Sequence, residues 1–282
     1  MEEHIKYLID TWGKNDQRTD EWHNKRGEML TASEIYKACV DASPALKHEI
    51  VMSKLVARQN SGNSGAMSLI WGTRFETVAK DIYCFMNPGV KIVDTTCIPH
   101  PNHSFLGASP DGILVPDFPN HPLTGSLIEI KCPISRVLDD SPISIQYMCQ
   151  MQLQMECTGL ETCEFVEMKF KELTYTEWVN STAEFKSFFT IGDDGSGVNY
   201  KHFTDTRTVS DWRACELNDD LDNIQRIIYW ELVQYKIQTV KRDPQWLLKN
   251  LVSFQEVWSQ VQAHRSASTF PPHPKEKTIL VL

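Results

Sequence analysis

Two runs decide the fold: LGASPDGIL (Leu106–Leu114) and SLIEIKCP (Ser126–Pro133), separated by the proline-rich turn VPDFPNHPLTG (Val115–Gly125). In the second run, strand alternation sets Leu127, Glu129 and Lys131 on one side and Ile128 and Ile130 on the other, against a core. In the first, Asp111 follows Pro110, where the chain is stiff, and precedes Gly112, where the backbone turns freely. The expectation is that Asp111, Glu129 and Lys131 converge. Two carboxylates and an ammonium at one point are costly unless a doubly charged ion lies between the acids. An oxygen-only donor set suits a hard cation, and magnesium above others. A bare D…ExK pattern is common by chance, so a buried ion pair beside an unrelated turn aspartate fits this stretch equally well.

The wording around these residues narrows the choice. SPDG followed by EIKCP resembles the PD-(D/E)XK nucleases, and within them the lambda exonuclease and YqaJ viral recombinase group. Three further stretches agree in order: EWHNKRGEMLTAS (Glu21–Ser33), WGTRFETVAKDIY (Trp71–Tyr83) and YMCQMQ (Tyr147–Gln152). The turn at Val115–Gly125 is longer than in the lambda enzyme, so the words carry the resemblance and the spacing does not. It implies an α/β fold: a restriction-endonuclease-like core with a central mixed β-sheet flanked by helices, plus C-terminal helices.

The resemblance also implies roles. Asp111 and Glu129 would hold the metal, helped by the Ile130 backbone carbonyl, and Lys131 would activate or orient the attacking water. Glu76, which pattern alone makes a solvated helix glutamate, matches the family's accessory acid and so counts as catalytic and as a metal ligand. Gln150 matches the active-site glutamine, and Gln152 is a second candidate on the same helix. Arg26, Ser33 and Ser109 match a pocket that holds the 5′-phosphate of DNA. The cofactor would be Mg2+, with Mn2+ able to substitute.

The chain has 282 residues, 41% hydrophobic and 23% charged, with a net charge of −9. That length and composition suit one large core. The acidic balance argues against a general nucleic-acid coat, though not against a narrow basic channel. Eight scattered cysteines and no apparent signal peptide suggest reduced thiols in an intracellular protein, in the host cytoplasm, or in the nucleus of a eukaryotic host. Cys97, His100 and His103 lack a fourth zinc partner and read as surface histidines near a buried thiol. Four clustered cysteines for an iron–sulfur centre are absent, and no apolar run has membrane-spanning length.

Along the chain, Ile5, Leu8, Ile9 and Trp12 give an N-terminal helix one apolar face. Thr31 or Ser33 would cap a helix carrying Ile35, Tyr36 and Cys39, whose free N–H groups would favour a phosphate. Helices are expected over Pro44–Arg58, Met67–Met86 and Ile143–Thr158, with a flexible loop from Gln59 to Ala66. On the last helix Gln146, Gln150 and Gln154 fall four apart, a pattern usual for polar surface. Lys91–Leu114 and Thr162–Phe170 read as strands, IGDDGSGVN as a plain turn, and Asp219–Lys236 and Pro244–His264 as helices. One domain over 1–265 is expected, with core motifs in 20–170, a helical extension in 210–265 and a flexible tail over 266–282.

The activity implied is a 5′ to 3′ exonuclease on double-stranded DNA ends, leaving 3′ single strands for viral recombination. Its partners would be duplex ends and a single-strand annealing protein, with a homo-oligomer, a trimer by resemblance, and no membrane. Two alternatives stay open: a structure-specific or endonucleolytic nuclease of the same type, and an inactive DNA-end-binding module.

Overall fold

SLIEIKCP forms β6 (Leu127–Lys131), an almost wholly buried strand near the middle of a mixed sheet. The computed structural model describes residues 2–56, 66–118, 120–192, 197–216 and 224–274. The expected loop at residues 59–65 and the centre of IGDDGSGVN lie outside the described residues. The large sheet has the order β2-β5-β6-β7-β10-β8-β9: β2 (Val90–Val93), β5 (Gly112–Pro116), β6, β7 (Thr162–Leu173), β10 (Ile224–Lys241), β8 (Lys186–Gly192) and β9 (Val198–Tyr200). Among its described strands only β6 and β7 pair in parallel, and the crossover between them contains α5 (Ile145–Thr158). A smaller sheet joins β1 (Leu30–Thr31), β4 (Leu106–Ala108) and β3 (Ile98–Pro99), with β4 in the middle.

Alternation along β6 is realised as two different environments. Ile128 and Ile130 pack with Phe75, Val78, Ala79 and Ile82 of α4 (Ala66–Met86), in a core extended by Phe170, Phe189 and Trp230. Leu127 packs the other way, with Met151 and Met155 of α5. Helix α5 is buried on more than one side. Cys149, Leu153 and Cys157 meet Leu30 and Ile35, together with Phe254 and Val257 of α8 (Trp246–Ala267). Ser144 caps α5 at its start, and Gly159 ends it with φ 68°, where any side chain would be strained.

Helix α1 (Glu2–Trp12) buries Ile5 and Leu8, as its spacing suggests. A further helix, α2 (Asp20–Gly27), is capped by Thr19, which accepts from Trp22 N–H. Helix α3 (Pro44–Leu55) begins under a Ser43 cap. Two short helices are α6 (Tyr175–Asn180) and α7 (Val209–Glu216), the second just before residues 217–223, which lie outside the described residues.

Three local expectations are corrected. The helix expected over Asp219–Lys236 does not form over residues 224–236: residues 224–241 form β10, bonded to β7 on one side and β8 on the other, and residues 219–223 lie outside the described residues. Thr31 and Ser33 cap no α-helix, because Leu30 and Thr31 pair in parallel with Leu106 and Gly107. The chain then makes one 3-10 turn (Ile35–Ala38) without a side-chain cap. Finally, Gly112 serves a close approach more than a turn. A Cβ there would stand 2.3 Å from Ile92 Cγ2, so only glycine lets β2 lie against the strand that continues from Asp111.

Beyond α8, His48 Nε2 lies 3.3 Å from the Pro271 carbonyl and its ring packs on His273, so residues 271–273 lie against α3. No described helix is long and apolar enough to cross a membrane.

Candidate active site

Asp111 precedes β5 and Glu129 sits on β6, and the antiparallel pairing of Gly112 with Ile128 brings them side by side. The Asp111 N–H donates to the Ile128 carbonyl (3.2 Å), and the Ile130 N–H donates to Asp111 Oδ2 (2.7 Å). Lys131 Nζ donates to Glu129 Oε1 and lies over the Tyr147 ring. The convergence expected of Asp111, Glu129 and Lys131 is therefore present, at the wall of a cleft of about 430 Å3.

Glu129 is 1% exposed, so it would be costly without donors. Gln150 Nε2 donates to its Oε1 and Gln154 Nε2 to its Oε2, each at 2.6 Å. Burial raises the Asp111 carboxyl well above the usual range, and the Glu129 and Glu76 charges push it further. Burial alone would lower the Lys131 amine, but the Glu129 and Asp111 carboxylates prevail and raise it.

Glu76 lines the same cleft from α4, bonded to Arg18 and, at 3.1 Å, to Lys80, which also holds Asp94 at 2.7 Å. It does not join Asp111 and Glu129 as a third clustered carboxylate. Among the described residues no three His, Cys, Asp or Glu side chains form a metal cage. Two acids with the Ile130 backbone nevertheless fit a hard cation that keeps several waters, as magnesium does. Burial first, then the Glu129 and Glu76 charges, raise the Asp111 carboxyl, and a cation there would offset both costs.

A second cluster occupies another part of the cleft. Arg26 donates to Ser33 Oγ (2.9 Å), Thr31 Oγ1 (3.2 Å) and Ser109 Oγ (3.4 Å), with its guanidinium stacked on Trp22. The Trp22 indole N–H also donates to Ser109 Oγ at 3.1 Å. Arg26, Ser33 and Ser109 thus meet, though by side chains gathered from α2, the β1 turn and the SPD word rather than at a helix start. Glu34 accepts from the Thr31 N–H and hydroxyl, at 3.0 and 2.8 Å, and so occupies that turn's donors.

Gln152 is the site residue the structure places elsewhere. Its amide bonds the Lys241 carbonyl (2.9 Å) and the Asp243 N–H (2.7 Å), tying the turn between β10 and α8 onto α5. On a helix, residue 152 faces away from residues 150 and 154, so the carboxylate takes Gln154 instead. Sequence already showed the 150/154 spacing, but nothing in it said that the face is buried. His100 departs as well: it is 6% exposed, not on the surface, and Cys97 is fully buried beside Met29. Arg18 and Gln17, which no motif in the sequence marks, also line the cleft.

The fold has relatives among solved structures. The chain is similar to LHK-Exo, an alkaline exonuclease from Laribacter hongkongensis, with a TM-score of 0.52 and 20% identity over 89% of this chain and 98% of that one. A structure of LHK-Exo in complex with dAMP gives a TM-score of 0.51 and 21% identity, with the same coverage. The fold is accordingly the PD-(D/E)XK-type α/β fold, a central mixed curled sheet with flanking helices.

Residues 21–161 match the YqaJ-like viral recombinase domain, and the chain belongs to that family. A curated relative, the uncharacterized protein R354 of Acanthamoeba polyphaga mimivirus, is 26% identical over 302 residues. The match covers 90% of this chain and 54% of that protein, so the chain spans about half its relative's length.

Proposed function

We propose that the protein is a magnesium-dependent deoxyribonuclease of the PD-(D/E)XK type that shortens double-stranded DNA from its 5′ ends, leaving 3′ single strands. The observation that carries this reading is one continuous cleft lined both by Asp111, Glu129 and Lys131 and by Arg26, Ser33 and Ser109. A guanidinium with two hydroxyls suits a terminal phosphate. With that phosphate at Arg26, the next phosphodiester runs towards the acids, and cutting it leaves a new 5′-phosphate to take the same place.

Asp111 and Glu129 would hold the cation, with the Ile130 backbone completing the protein's share. When bound, it lowers the pKa of a coordinated water and offsets charge on the phosphate. Lys131, held against Glu129 beside the cation's place, would activate or orient the attacking water. Gln150 and Gln154 hold both Glu129 oxygens, and Glu76 is an accessory acid at the rim.

Family membership and the mimivirus relative support a role in viral recombination inside the host cell. A single-strand annealing protein as partner, a homo-oligomer as the working form and Mn2+ as a substitute for Mg2+ belong to the same proposal. A duplex labelled separately at each end, with and without 5′-phosphate, tests the reading. Label should leave 5′ ends first, and faster from phosphorylated ends. Internal cuts, or 3′ loss, would contradict it.

A further inference from the structure

Arg18 is a non-glycine residue held at φ 76°, in the left-handed region that side chains disfavour. Such a conformation persists only where its surroundings over-determine it, and it tends to mark functional positions. Both neighbours here are fixed. The Gln17 amide donates to the Thr95 carbonyl (2.8 Å) and to the Pro110 carbonyl (3.0 Å), the residue before Asp111. Thr19 caps α2, which carries Trp22 and Arg26. The chain from 17 to 19 therefore bridges the acids and the Arg26 cluster, and the strained residue between them turns its guanidinium into the cleft, onto Glu76.

That ion pair is built to open. The Arg18 side chain is 49% exposed, so its charge stays well hydrated, and Glu76 keeps Lys80 at 3.1 Å when Arg18 leaves. Opening strands no buried charge, which is the usual reason such pairs stay closed. A planar guanidinium matches a phosphodiester in two-point geometry as well as it matches a carboxylate, and this carboxylate, 18% exposed, is already shared with a lysine.

We propose that Arg18 is a further DNA-binding residue of the cleft: on substrate entry its guanidinium exchanges Glu76 for a backbone phosphate between the terminal 5′-phosphate and the acids. This rests on the nuclease reading. The exchange breaks one ion pair and forms another, with no covalent step.

The test is fluorescence anisotropy of a 5′-phosphorylated duplex with the full chain in EDTA, where nothing is cut, over a series of salt concentrations. Arg18→Gly removes the side chain while accepting the positive φ without strain, so the backbone is kept. Its Kd should rise about tenfold, and the slope of log K against log salt should fall by about one, the signature of one lost phosphate contact. Arg18→Lys, which keeps the charge, should keep the slope. A structural role would change melting without changing the slope. Unaltered affinity and slope in Arg18→Gly, or a lost slope in Arg18→Lys as well, would overturn the proposal while leaving the nuclease reading intact. Absence of duplex binding by the wild-type protein would instead overturn that reading, and this inference with it.

Discussion

Gln154 Nε2 lies 2.6 Å from Glu129 Oε2 while Gln150 Nε2 lies 2.6 Å from Oε1, so one helix holds both oxygens of the buried acid. Removing either donor leaves a buried carboxylate oxygen short of a partner, at a cost of about 1–3 kcal/mol. Gln154→Met preserves the volume. It should lower the unfolding free energy by that amount and reduce cation affinity by roughly 10- to 100-fold, as losses behind metal ligands do. Calorimetric titration with Ca2+ reads the second effect without turnover, and unchanged affinity would deny Gln154 this positioning role.

Gln152 should behave differently. Gln152→Ala removes two bonds that fix the turn between β10 and α8, and should cost about 1–3 kcal/mol in denaturant unfolding. Its kcat per folded molecule should match wild type. A kcat loss as large as that of Gln150→Ala would return Gln152 to the reacting groups.

The reach of the sequence is visible in these same residues. Strand β6 was legible because alternation over five positions puts chemistry on one face and Ile128 and Ile130 on the other. The SPD and EIKCP words located the strand and the aspartate beside it. Strand β10 was not legible. Its run IIYWELV has apolar residues at both strand and helix spacings, and the pairing that selects a strand comes from β7 and β8, distant in sequence. The bond from Gln154 to Glu129 and the place of Arg18 in the cleft were unreadable for a related reason. Burial of a polar face, and the direction of a turn arginine, are set by what packs there.

His100 gives the fold a pH dependence. Its Nδ1 accepts from the N–H groups of Asn102 (3.1 Å) and His103 (3.2 Å), which requires an unprotonated nitrogen. Burial, with the His103 charge adding to it, lowers its pKa from 6.5 to about 4. The unfolded chain therefore takes the proton first as pH falls, so this contribution is complete above 6.5 and is lost on acidification towards 4. His100→Asn keeps an acceptor that does not titrate. Wild type should lose about 2 kcal/mol more than the variant across that window, by urea unfolding. Parallel curves would remove His100 as the cause.

Asp111 has the opposite sense. Its carboxyl is raised by burial and by Glu129 and Glu76, so the cation-free fold is favoured while Asp111 is protonated and weakened as pH rises through the raised value. A divalent cation binds the ionised form and should reverse this. The rise in Tm produced by Mg2+ should grow as pH rises through that raised value. Asp111→Asn should melt higher than wild type without cation and lose the Mg2+ increment. An increment independent of pH would place the cation elsewhere.

The most direct test of the central claim, that Asp111, Glu129 and Lys131 meet around a divalent ion to cut DNA, is digestion of linear 5′-phosphorylated duplex in Mg2+ by wild type, Asp111→Ala and Lys131→Ala side by side. Wild type should release mononucleotides, stop on chelation and resume when Mg2+ is returned, with both variants slower by at least about a hundredfold. Equal digestion by all three would contradict the account.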